Sequence, residues 1–159
     1  MKKLITIYCV AAAIVLFMIS FIYVDEIFDL LYAPFRKHNM FFLVSSVSGS
    51  FGMALRLSLA IGLLPIFLMI AWIKGNISSP IKIIGSIAIA LAIVTIAILL
   101  NEIRLQSYAI PDLPQVKVAF PIEGAFFERA IVSGAAVGSI ISYFIFRTRR
   151  PNSIAVTPS

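Results

Sequence analysis

Four stretches of the chain are apolar almost without interruption, Leu4–Val24, Leu55–Ile73, Ile83–Leu100 and Ala130–Phe146, and the polar residues gather between and after them. An α-helix rises 1.5 Å per residue, so roughly 17–25 apolar residues cross about 30 Å of hydrocarbon. The pattern therefore predicts an all-α integral membrane fold: one domain over residues 1–146 with transmembrane helices at about 4–24, 55–73, 83–100 and 130–146, arranged as two helical hairpins. The first stretch follows Lys2-Lys3 as a secretory signal would. It is longer than the usual h-region of about 7–15 residues, and Phe21-Ile22-Tyr23-Val24 offers no small-residue cleavage site, so it reads as a retained helix. The polar end, residues 147–159, predicts a disordered tail.

The segments between spans 1 and 2 and between spans 3 and 4 are long, and the connection Lys74–Pro80 is short. In the first long segment Ile27, Phe28, Leu30, Leu31 and Tyr32 alternate with Asp25, Glu26 and Asp29 at helical spacing, ended by Ala33-Pro34. Two readings stand: an amphipathic helix at the membrane interface, or an extension of the first span. Each half of the chain also carries a Gly-small-Phe step before its returning span, Gly49-Ser50-Phe51 and Gly124-Ala125-Phe126, 75 residues apart. This is a weak internal repeat of the kind that builds two similar hairpins.

Composition agrees with a bilayer as solvent. Apolar residues make up 61% of the 159 and charged residues 13%, with mean hydropathy +1.05, against roughly 45–50% and 25% in soluble domains. Charge then orients the chain. With a cytoplasmic N-terminus, the inner side carries Lys2, Lys3, Lys74, Lys82, Arg147, Arg149 and Arg150 and no acid. The outer side holds all seven acids and six cations, 6 − 7 = −1. Both termini are expected in the cytoplasm. The same distribution explains the net charge of +6 without a nucleic-acid partner, because the basic residues form no run longer than Arg149-Arg150. Cys9, the single cysteine, excludes an intrachain disulfide.

Candidate chemistry is sparse. His38, the one histidine, stands beside Lys37 and Asn39 with no metal-ligand spacing around it, and no phosphate-binding loop, nucleophile elbow or paired carboxylates occur in the spans. The expectation is a protein that is not an enzyme and holds no cofactor or metal. The spans place no ionisable residue near their centres, which disfavours a proton or ion path. Arg56 sits at the outer end of the second span, where it either snorkels to the headgroups or pairs with Glu102 or Glu128; Glu128-Arg129 and Glu102-x-Arg104 mark other span ends. Pro65 removes a donor from the second span and should bend it. Ser58 and Gly62 share one face of that helix, a small-xxx-small pair that admits another helix closely.

Over about a third of the sequence, Ser20 to Ile73, the chain resembles the TatC family, the multi-spanning subunit of the twin-arginine protein translocase. The likeness is carried by Asp25-Glu26-Ile27-Phe28-Asp29-Leu30-Leu31 leading to the outer turn Ala33-Pro34-Phe35, by Phe51, likewise expected in an outer turn, and by Leu55-Arg56-Leu57-Ser58-Leu59, Gly62-Leu63, Pro65 and Trp72. It implies a hairpin of the family's kind in a bacterial cytoplasmic (inner) membrane. The family's cytoplasmic segment with its Glu-Arg pair has no counterpart in Lys74-Gly75-Asn76-Ile77-Ser78-Ser79-Pro80, where no acid stands ready for two arginines. The function expected is a non-enzymatic interaction module, an accessory subunit of a larger membrane complex, TatC-like in its relation to protein translocation, partnered by other integral membrane proteins or by a second copy of itself, and by the lipid bilayer. The alternative is a small oligomeric transporter or channel.

Overall fold

A computed structural model describes residues 2–36, 40–43, 47–107, 118–121 and 125–147. The sequence-based readings of His38, Asp112, Lys117, Glu123, Gly124 and the tail from residue 148 lie outside them. Five helices follow one another: α1 (Lys2–Ile22), α2 (Val24–Arg36), α3 (Val47–Gly75), α4 (Pro80–Gln106) and α5 (Phe127–Phe146). Four of these, all but α2, are long and apolar enough to cross a membrane. The only strands among the described residues are a pair of four-residue ones, β1 (Met40–Leu43) and β2 (Val118–Pro121), which run parallel with Met40 opposite Val118.

The helices outrun their apolar stretches. At 29 and 27 residues, α3 and α4 reach about 44 and 40 Å at 1.5 Å per residue, which matches the whole bilayer with its headgroup zones rather than its hydrocarbon alone. A helix satisfies its own backbone, so nothing stops it where hydrophobicity ends, and α3 and α4 run on past their apolar stretches to take in Arg56 and Asn101-Glu102. Phe51 is one such residue. Expected in an outer turn, it lies inside α3, 60% exposed, with its ring 5.9 Å from Phe21 of α1 in an edge-on contact. Gly49 and Ser50 are likewise helical. The two Gly-small-Phe steps are therefore unlike: the second ends in Phe126, which precedes α5 in a left-handed conformation.

Where α3 ends, Asn76 takes φ of 52°, and the Ile77 N–H donates to the Trp72 carbonyl at 3.0 Å. That is a Schellman stop, in which a left-handed residue lets the chain turn back on the last turn's carbonyls. Ile77 is buried beneath it, and Pro80 opens α4, where its missing donor costs nothing. A tight connection between α3 and α4 results.

Packing pairs α1 with α3 and α4 with α5, and the two pairs meet mainly through α3 and α5. Those are the two hairpins read from the sequence. The span expected at 4–24 is broken at Tyr23, and α2 is a helix of its own rather than the end of α1. It also runs through Pro34, the residue expected to end it, and stops at Arg36. Only the bond to the Leu30 carbonyl is forfeited by a proline so near the C-terminus. The apolar side of α2 packs into the main core: Leu31 and Phe35 lie against Leu57 of α3, Leu105 of α4 and Phe127 and Ile131 of α5. The core therefore sits at the end of the bundle that α2 covers.

Candidate functional site

The small residues of α3 and α5 decide how closely the helices approach. A Cβ built on Gly62 would lie 3.1 Å from both the Ala13 carbonyl oxygen and the Phe17 Cβ of α1. At Gly62 the helix that comes close is the chain's own α1. Ser58, one turn away, is fully buried and its hydroxyl has no hydrogen-bond partner among the described residues. Pro65 is buried within a helix that stays continuous from Val47 to Gly75.

A tighter contact lies in the other hairpin, at a motif the sequence reading passed over. Gly134 and Gly138 form a Gly-x3-Gly pair on α5, and Cβ atoms there would come within 2.7 Å of the Cα atoms of Val94 and Ala90 on α4. The contact continues as a ladder of antiparallel helices. Ser142 donates to the Ser86 carbonyl at 3.2 Å near one end, and Asn101 Nδ2 donates to the Ala125 carbonyl at 2.8 Å near the other. Lipid tails give no hydrophobic reason for helices to associate, so close backbone approach and interhelical hydrogen bonds hold such a pair.

Trp72 joins the same network. Its indole Nε1 donates to Ser86 Oγ at 2.6 Å, and Ser86 Oγ in turn donates to the Ile83 carbonyl at 2.7 Å. One serine thus ties three helices together, taking a bond from Trp72 of α3 on its hydroxyl and one from Ser142 of α5 on its carbonyl. Neither Ser86 nor Ser142 was legible as a site, since a serine in an apolar run carries no motif.

At the α2 end, Tyr32 and Phe35 meet the Phe127 ring edge-on at 5.5 and 6.3 Å. Burial, and then the nearby charge of Glu128, push the Tyr32 phenol well above its ordinary pKa of 10.0. Phe126, with φ of 52° and ψ of 30°, is a bulky residue in a region such residues rarely adopt. It is held there by the Asn101 bond to its neighbour and by two guanidinium groups over its ring, Arg129 at 4.1 Å and Arg104 at 5.4 Å. Arg129 therefore acts as a cation on an aromatic face. Among the described residues no ion pair links Arg56 to Glu102 or Glu128, or Glu128 to Arg129, and Arg56 is exposed.

Between α3 and α5, away from the end that α2 covers, an open groove of about 270 Å³ is lined by Phe67, Ala71, Lys74, Ala136, Ser139 and Tyr143, among others. No group of three metal-ligating side chains occurs among the described residues. Compared with models of protein families, with curated proteins and with solved structures, the chain matches none.

Proposed function

We propose that this chain is a four-pass membrane protein, with both termini in the cytoplasm, that acts without catalysis as an interaction subunit for other integral membrane proteins through α1 and α4. One contrast carries the reading. Only 11% of the residues in the most apolar stretch of α1 are buried, and 17% in α4, against 44% in α3 and 39% in α5. The molecule is thus a frame of α3 and α5 flanked by two helices whose outward faces nothing among the described residues covers. Each flanking helix is already fixed by one glycine-mediated contact, so a partner meets a preformed surface and loses little entropy on docking.

The orientation rests on the positive-inside distribution of Lys2, Lys3, Lys74, Lys82 and Arg147. A place in the bacterial cytoplasmic membrane and a link to protein translocation rest on the likeness of residues 20–73 to TatC. Extraction in mild detergent followed by native electrophoresis tests the reading. Migration in a complex larger than the monomer is expected, lost when Ile14 and Met18 on the exposed face of α1 are replaced by tryptophan; a lone monomer under gentle extraction sinks it.

A further inference from the structure

The groove between α3 and α5 differs from the rest of the bundle surface in what surrounds it. Its walls are apolar, and Lys74 stands at one end of it, in the last turn of α3. Arg147, which ends α5, holds its guanidinium 6.0 Å from the ring centre of Tyr143, another lining residue. Every acid among the described residues, Asp25, Glu26, Asp29, Glu102 and Glu128, belongs to α2 or to the ends of α4 and α5 nearest to it. Lys74 and Arg147 thus stand at the ends of α3 and α5 that carry no carboxylate among the described residues. Inside the groove Ser139 is 5% exposed, and its hydroxyl has no hydrogen-bond partner among the described residues. A buried hydroxyl without an acceptor is costly, and in an apolar wall it is a donor awaiting a ligand.

We propose that this groove binds an anionic phospholipid of the bilayer: one acyl chain between α3 and α5, the headgroup phosphate at Lys74 and Arg147, and an ester carbonyl accepting from Ser139. The inference rests on the membrane reading above but not on which side is cytoplasmic. Basic pockets between transmembrane helices favour anionic headgroups on simple electrostatic grounds. An apolar slot with cations at one end fits a lipid, which is apolar along its length and charged at its head. A free phosphate would leave the slot empty.

Trp72, the only tryptophan in the chain, directly follows Ala71 of the groove wall and turns its indole to Ser86 of α4, so its fluorescence reports on lipid close beside the groove. The test is quenching in the full chain reconstituted into phosphatidylcholine vesicles carrying either brominated phosphatidylglycerol or brominated phosphatidylcholine. The anionic lipid is expected to quench at about five-fold lower mole fraction, as one surface cation supplies. Lys74→Gln and Ala136→Phe should each bring the ratio toward one, the first by removing charge and the second by filling the slot, and Lys82→Gln should leave it unchanged. Equal quenching by the two lipids in the unmodified chain overturns the proposal. So does a preference that survives Ala136→Phe, which would assign it to surface charge alone, or a ratio of one accompanied by cross-linking of two copies through the groove. Quenching by neither lipid would instead remove the membrane reading on which the proposal stands.

Discussion

Glycine at position 138 is held by geometry rather than by flexibility. Any Cβ there meets the backbone of Ala90 at 2.7 Å, and backbone cannot turn aside as a side chain can. Gly138→Ala is expected to cost about 1–3 kcal/mol, the usual range for overpacking, measured by unfolding in mixed detergent. Gly52→Ala is the internal control: nothing lies within 4 Å of a Cβ at that position of α3. The same change should there be neutral or stabilise by up to about 1 kcal/mol through backbone entropy. At Ser86, alanine would strand the Trp72 indole N–H while leaving the carbonyl that Ser142 uses. A loss of about 1 kcal/mol is expected, with a shift in the emission of Trp72 as its bond disappears. These residues explain why the sequence undersold its own packing. Ser58 and Gly62 were found by spacing, and Gly134 and Gly138 have that spacing too, but spacing alone does not say which helix each pair receives.

Among the elements, α2 departs furthest from what the sequence settled. Its amphipathic pattern was plain, yet periodicity does not distinguish a separate helix from a continued span; the turn at Tyr23 and the burial of Leu31 and Phe35 make it a helix of its own. Tyr32 makes the attachment of α2 sensitive to pH. Its neutral phenol is the species the fold accommodates, with a folded pKa raised above 10.0. Below pH 10 both states keep the proton and the contribution is fully present. Above it the unfolded chain releases the proton while the folded chain holds it, so stability falls as pH rises. Thermal unfolding followed from pH 8 to pH 11 should show this decline, and Tyr32→Phe should flatten it; an unchanged slope in the variant would remove Tyr32 as its source. The helix ends were hard to read for a different reason. Apolar residues mark only the hydrophobic stretch, whereas α3 and α4 carry on beyond it because their backbone bonds are as good there.

For the whole molecule, four helices long and apolar enough to cross a membrane were legible because a bilayer demands such helices, and their pairing followed chain order, each hairpin closing over a long segment while the short Lys74–Pro80 connection joins α3 to α4, which scarcely touch. The meeting of α3 with α5 was not, since contacts between hairpins depend on surface shape and leave little mark on composition. The groove was invisible for the same reason: Lys74, Ser139 and Tyr143 are unremarkable alone and become a site only when two helices bring them side by side. Orientation remains a statement about charge. A reporter enzyme fused after Ser159 is expected to be active only in its cytoplasmic form, and an exported, active periplasmic form would reverse it.

The pairing of β1 with β2 bears on the order in which the chain assembles. Met40 and Val118 are joined only after α3 and α4 have both been made. Each hairpin closes through neighbours in sequence, and the strands and the α3–α5 contact close across most of the chain, which is the slower class of contact. During synthesis the first hairpin has time to settle around Gly62 before the second exists. Docking of one finished half onto the other, rather than formation of either, should then set the pace of folding, and lipid has access to the faces of α3 and α5 until the two halves close.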